Sequence, residues 1–452
     1  MNKLTTVIVA SVVIAVTFGV VPVVPGIGSE PAYAAEKQSA ADKKRAERKR
    51  KTRRVPTISE QTYRKLSEVQ EAIDVEDLNL ALEVLNDITK RRSRYNANEL
   101  GQIHNMYAYV YFNQENYAQA IKHYEQVVAQ GDGVPQGLEI ATLYSLAQLN
   151  FIEEQYRESL RYMQLWLTKA DNPGPEPHIF MGQVYYQMED YGSAIVQIET
   201  GIQVAQDRDR AVKENWWQLL RYLYFESEDW DKVLDILEIL VRDFPKREYW
   251  MQLAGVYGQQ EMDREQMLAM ETAHVGKFLT RESDLLTYAG LLMQEEIPYR
   301  AAKWLEQGFD DGTIEDTSKN LQALGQAWQL AQEVDKAIPV FEKAGSKSDD
   351  GEILARLASL YLEADEFVKC SNAADRAIKK GGLKKAYNTQ MVQGMCLFNR
   401  DRLTAARSVF VDARNASRRS ENKSVQRMCQ QWITYIDRER SRRAQLEAAI
   451  GE

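Results

Sequence analysis

From Ile58 onward, apolar residues recur at three- and four-residue spacings in runs of a dozen or more, separated by short polar breaks. That period marks amphipathic helices, and no convincing strand run interrupts it. The helices come in pairs that repeat every 33 to 39 residues. Small residues carry the repeat. Ala108, Ala147, Gly182, Ala254, Ala289, Gly325, Ala358 and Gly394 each fall midway along the first helix of a pair. A second small residue follows twelve positions later at Ala120, Ala194, Ala301, Ala337 and Ala406. Antiparallel helices approach closely only where side chains are small, so these positions predict the crossing points. Large residues surround them: Tyr111, Tyr185, Tyr224, Tyr257, Trp328 and Tyr361 after the first, and Tyr124, Leu237, Leu305, Phe341 and Phe410 after the second.

Polar links such as Gln114-Glu115-Asn116, Glu189-Asp190, Glu228-Asp229 and Asn399-Arg400-Asp401 join the two helices of a pair. Pro135, Pro173, Pro175 and Pro245 fall between pairs, where no helical N–H is lost. Arg221 and Ser159 stand where small residues are expected, and Pro298 opens a second helix. The best copy of the pattern is Trp217, Leu220, Arg221, Tyr224, Val233, Leu237, Leu240 and Pro245, and the next begins with Trp250, Leu253, Ala254 and Tyr257. Over residues 58–417 this resembles the tetratricopeptide repeat (TPR) family. The resemblance implies an all-α solenoid, a right-handed superhelix of about ten helical hairpins. Such arrays offer a long wall to other proteins. Residues 418–452 read as a basic capping helix and tail: Val425, Met428, Cys429, Trp432, Ile433 and Ile436 form an apolar stripe, and Arg427, Arg438, Arg440, Arg442 and Arg443 lie outside it.

The N-terminus changes the setting. Lys3 precedes an almost wholly apolar run from Leu4 to Val24, and Ala32-Tyr33-Ala34 gives a small-x-small cleavage pattern, so residues 1–34 read as a signal peptide cleaved after Ala34. The alternative is an uncleaved inner-membrane anchor, since about twenty apolar residues can span a bilayer. No cysteine follows the site, which excludes a lipoprotein signal. Residues 35–57 then read as a basic disordered leash, with ten Lys/Arg against Glu36, Asp42 and Glu47 between residues 35 and 56. The whole chain carries a net charge of −9, so the body behind the leash is acidic. Export removes nucleic acid as the partner of this run and leaves two readings, a solvated linker or contact with an anionic membrane surface.

Candidate chemistry is sparse. The four histidines are scattered, and His104 and His178 occupy the positions of Trp217 and Trp250, where packing is the expected role. No HExxH, paired CxxC, Walker loop, GxSxG elbow or dinucleotide-binding glycine pattern is present. The reading is non-enzymatic, with no metal, no cofactor and no nucleic acid. Cys370, Cys396 and Cys429 read as buried small hydrophobes, with a Cys370–Cys396 bridge as the alternative that export permits. The inner face of the first helices is richer. The residue four beyond the small landmark is aromatic in four consecutive pairs: Phe112, Phe151, Tyr186 and Phe225. Tyr109, Gln148, Gln183 and Tyr222 share that face, as do Asn105, Tyr144 and Ile179. The ladder ends with Gly258, Met293 and Gln329. Two readings remain open: rings packing on the next hairpin, or a groove for a partner segment with aromatic anchors and amides binding its backbone. The basic residues with which cytosolic chaperone-adaptor TPRs clamp a terminal carboxylate are missing, so that ligand is not expected.

The chain also looks like the exported TPR proteins associated with TonB–ExbB–ExbD energy-transduction systems of Gram-negative bacteria. The likeness rests on the signal segment, the basic leash, RVPTISEQTYRKLSEVQ, NANELGQIHNMYAYVYFNQENYAQAI and the basic cap. It implies a periplasmic, non-catalytic scaffold assisting such a complex. The alternatives are a periplasmic assembly chaperone for envelope or outer-membrane proteins, or a cell-wall-associated protein.

Overall fold

The computed structural model describes residues 53–90 and 95–450, with the side chains of 448–450 left aside. The expected signal segment, and the leash up to residue 52, lie outside the described residues. Two compact units divide after Val233. The first holds four hairpins: α1 (Glu60–Asp74) with α2 (Leu78–Thr89), α3 (Ala97–Asn113) with α4 (Tyr117–Ala129), α5 (Gln136–Ile152) with α6 (Tyr156–Lys169), and α7 (Glu176–Gln187) with α8 (Tyr191–Gln206). It continues through α9 (Glu214–Glu226) into α10 (Trp230–Asp243), within which the boundary falls. The second unit pairs α11 (Arg247–Gln259) with α12 (Asp263–Val275), α13 (Glu282–Gln294) with α14 (Pro298–Asp310), and α15 (Ser318–Leu330) with α16 (Val334–Lys347). It goes on to pair α17 (Glu352–Glu363) with α18 (Phe367–Lys380) and α19 (Ala386–Asn399) with α20 (Leu403–Arg419). A single long helix, α21 (Lys423–Ile450), follows. Among the described residues the fold is therefore all-α: ten TPR-type hairpins and a closing helix. No described helix is long and apolar enough to cross a membrane.

The landmarks mark the close approaches. A Cβ added at Gly182 would lie 2.5 Å from Ile198 Cδ1 across the α7/α8 hairpin. At Gly325 and Gly394 it would lie 2.9 and 2.8 Å from the rings of Phe341 and Phe410. In each case the large residue fills the space that the missing methylene leaves, sixteen positions on. Where Ser159 replaces alanine, its hydroxyl is buried and donates to the carbonyl of the landmark Ala147 at 2.7 Å.

Every hairpin turn is built alike. One non-glycine residue takes a left-handed backbone: Glu76, Glu115, Glu154, Glu189, Glu228, Glu261, Glu296, Gln332, Asp365 and Asp401. The next N–H reaches back to the carbonyl five residues earlier, as in Asn116 to Tyr111 at 2.9 Å and Glu366 to Tyr361 at 2.8 Å. This six-to-one bond ends the first helix, and a polar residue opens the second at every turn but those of Met262 and Ile297. Asp77, Asn116 and Asp190 side chains accept the bond from the second helix's early N–H groups.

Two expectations need correction. Cys370 on α18 and Cys396 on α19 are joined by a disulfide across consecutive hairpins, with Cα atoms 6.1 Å apart, so only Cys429 is a free buried thiol among the described residues. Reading the pair as unlinked small hydrophobes misjudged it, because both occupy crossing positions that face each other. In α21, Val425, Cys429, Ile433 and Ile436 are buried, but Met428 is exposed and does not belong to that stripe.

Candidate functional site

The aromatic ladder of the first unit is built at the turns. Each ring closes on the aromatic residue that opens the following helix, five positions later. Phe112 meets Tyr117 at 5.8 Å, Phe151 meets Tyr156 at 5.8 Å, Tyr186 stacks on Tyr191 at 6.2 Å, and Phe225 meets Trp230 edge-on at 5.3 Å. Two rungs also touch the next hairpin: Phe151 to Phe180 at 5.7 Å and Tyr186 to Tyr222 at 5.7 Å. The rings are thus partly used for packing, yet none is fully buried. Phe112, Phe151, Tyr186, Tyr109 and Tyr222 stay half-exposed, and Phe225 is 42% exposed. The Tyr222 hydroxyl is pushed above its ordinary pKa by burial, and further by Tyr186 and Glu226 beside it.

The residues three before the landmark behave differently. Tyr144 is half-buried and lies edge-on to Trp166 of its own hairpin at 5.5 Å. Ile179 is buried beneath Gly201 of α8, so it is core and not lining. Asn105 is 0% exposed, and neither its Oδ1 nor its Nδ2 has a hydrogen-bond partner among the described residues. Gln148 is buried, and the Gln183 Oε1 is buried without a partner. A buried amide without a partner costs about 1–3 kcal/mol. Two first helices, α3 and α7, carry such an amide, and α5 between them carries the buried Gln148.

The histidines proved more connected than their spacing suggests. His104 Nδ1 and His123 Nδ1 are 3.0 Å apart across the α3/α4 hairpin, and Tyr107 stacks on His123 at 4.5 Å. Burial, then His104, then Lys122 hold His123 down to a pKa of about 4. His178 meets Gln197 in the same way at 3.1 Å, nineteen residues apart like the first pair. Among the described residues no group of three His, Cys, Asp or Glu side chains is arranged to hold a metal.

The end of the basic leash is not free. Arg53 donates to the buried carboxylate of Glu139 at 2.8 Å and to the Val134 carbonyl at 3.1 Å, and pairs with Asp132. Lys169 reaches the other oxygen of Glu139 at 2.7 Å. Asn96 and Asn98 bond the carbonyls of Thr57 and Pro56, and the Ser59 N–H donates to Glu99. Burial works against the Glu99 charge, but bonds from Asn96, Ser59 and Thr62 outweigh it and hold its pKa low. Residues 53–59 therefore strap the first three hairpins together, and disorder does not extend to them. The isolated Glu99 and Glu139 gave no sign of this in the sequence, since their partners lie about forty or more residues away.

No family model matches the chain, and no curated protein does. Many solved structures do. One is a tetratricopeptide repeat protein from Parabacteroides merdae ATCC 43184, 17% identical, matched over 67% of this chain and 99% of that one, with a TM-score of 0.33. Another is the apo form of RapI, 10% identical over 62% of this chain and 99% of the other, at a TM-score of 0.34. A third is YrrB, described as a TPR protein with an unusual peptide-binding site, 10% identical over 42% and 90% at a TM-score of 0.31. Scores of this size leave the class to be read from the chain's own helices: an array of TPR-type hairpins.

Proposed function

We propose that the protein is a non-catalytic scaffold that holds a segment of another protein against the first helices of its N-terminal unit. The observation that carries the reading is the row of partly exposed rings on α3, α5, α7 and α9, beside unpartnered amides on α3 and α7. A protein segment supplies apolar side chains for the rings. The finer assignment is to the periplasm, as an accessory of a TonB-type transport complex. It rests on the export-like N-terminus and the sequence likeness given above. The Cys370–Cys396 bridge supports an oxidising compartment.

The test is crosslinking in the native host followed by recovery of the protein. Recovered inner-membrane motor subunits are the expected outcome. A mixed population of outer-membrane precursors favours the assembly-chaperone reading instead. Phe225→Ser probes the surface with the least structural penalty, because that ring is the most exposed rung. Capture that is indifferent to it in a folded variant removes the groove.

A further inference from the structure

The closing helix is longer than closure requires. It runs 28 residues, about 42 Å at 1.5 Å per residue. Its last buried residue among the described side chains is Ile436, more than three turns before the end of the helix at Ile450. Along this helix, beside the buried stripe and sharing Trp432 with it, runs a second one. Met428, Trp432, Tyr435, Arg442 and Leu446 fall within about 80° of arc at 100° per residue. Tyr435 is 54% exposed and Leu446 47%. Trp432 stacks one ring face on Phe410 of α20 at 5.2 Å, and Trp432 and Tyr435 touch Phe398 at 5.3 and 5.6 Å, which fixes that side of the stripe against α19 and α20 and leaves the other face of Trp432 for a partner. Glu439 is held on the same side by Arg442 and Arg443, at 2.7 and 2.8 Å.

We propose that this stripe is the contact of a homodimer in which α21 packs antiparallel against α21 of a second copy, centred on residue 437. The sequence complements itself in that register. Met428 meets Leu446, apolar against apolar. Trp432 meets Arg442, a ring face against a guanidinium. Tyr435 meets Glu439, where the hydroxyl donates to the carboxylate. A two-fold axis presents each of these pairs twice, as an isologous interface requires. The composition, Trp, Tyr, Met and Arg, is that of contact cores and not of ordinary surface. A single helix pair is small for a dimer, so the association is weak and reversible, with a dissociation constant on the order of micromolar.

Sedimentation of the full-length protein over a concentration series tests it. The expected result is a reversible monomer–dimer equilibrium. Leu446→Glu, which sets a carboxylate opposite Met428, weakens it at least tenfold, and Ser441→Glu, away from the stripe, leaves it unchanged. Both positions are exposed, and circular dichroism checks that the helix is kept. Register is read separately: chains carrying Met428→Cys crosslink with chains carrying Leu446→Cys and not with themselves. A protein that stays monomeric at every soluble concentration overturns the proposal. So does a dimer indifferent to Leu446→Glu, or one that crosslinks Met428→Cys to itself.

Discussion

Up to Val233, four successive turns are closed by ring pairs, from Phe112–Tyr117 to Phe225–Trp230. In the second unit the same two positions hold Gly258 and Asp263, Met293 and Pro298, Gln329 and Val334, Leu362 and Phe367, and Phe398 and Leu403, so no pair of rings recurs. There the links between successive hairpins are ionic or covalent. Arg247 grips Asp284 with 2.7 and 2.5 Å bonds, Arg300 pairs with Glu271 at 2.5 Å, and Cys370 is bonded to Cys396. Both units keep the same turn backbone and the same small-residue crossings. The hairpin therefore does not need rings at its turns. Their concentration in one unit is what the proposed binding role there rests on.

The largest expected effect separates core rings from ladder rings. Phe341 is 0% exposed against Gly325, so Phe341→Ala should cost about 4 kcal/mol. Phe225→Ala, at a rung 42% exposed, should cost roughly 1 kcal/mol or less. Denaturant titration of both variants measures the contrast, and equal losses would make the ladder core.

Next comes the covalent link. The bridge spans 26 residues, and closing a loop of that length in the unfolded chain is worth about 3 kcal/mol. Reductant should lower the thermal midpoint of the wild type and leave a Cys370→Ala/Cys396→Ala double variant unmoved. Hydrogen exchange should rise in α18 and α19 and stay unchanged in α3 to α8.

These two predictions rest on features of different legibility. The crossings at Gly182, Gly325 and Gly394 could be read directly, because a missing Cβ and a large apolar residue sixteen positions on are a purely local pattern. The count of hairpins followed from it. The turn pairs were missed because helical periodicity stops at a turn, and five-residue spacing belongs to neither helix. The bridge and the His104–His123 pair depend on how one helix is rotated against another, which spacings of 26 and 19 residues do not encode. Of the candidate site, the rungs were legible as a row, but their burial was not. Ile179 and Tyr144 share a face with Asn105 by sequence, yet they turn toward their own second helices.

The histidine pair gives a smaller, pH-dependent contrast. Above pH 6.5 His123 is neutral in both folded and unfolded chains and contributes nothing to the pH dependence. As pH falls below 6.5 the unfolded chain takes up a proton that the folded chain refuses until about pH 4. Stability of the first unit should therefore drop across that window by about 2 kcal/mol, after discounting for partial solvent exposure. Lys122 and His104 face the ring as charges or potential charges, and Tyr107 and Tyr111 pack on it. His123→Gln reproduces the His178–Gln197 arrangement and should flatten the loss. In the second unit burial, then Arg300, lowers His274, so a shallower loss of the same sign remains in that variant. Denaturant midpoints at pH 7 and pH 4.5 measure both.

The smallest effect should be the same in both units, and that sharpens what they share. Glu115 and Glu296 have φ of 57° and 58°, where a Cβ crowds the backbone. Glycine relieves that crowding but loses more entropy on folding, so Glu115→Gly and Glu296→Gly should each stabilise by only about 1 kcal/mol or less. Charge works both ways at this point. An acid is unfavourable beside the last carbonyls of the first helix and favourable beside the first N–H groups of the second. The two terms oppose each other, so the backbone term decides the sign. Equal gains at the two sites, measured by thermal midpoint, would establish that the turn is a common part independent of what joins the hairpins. A gain at Glu296 with a loss at Glu115 would instead make the Phe112–Tyr117 clasp depend on the residue between its rings.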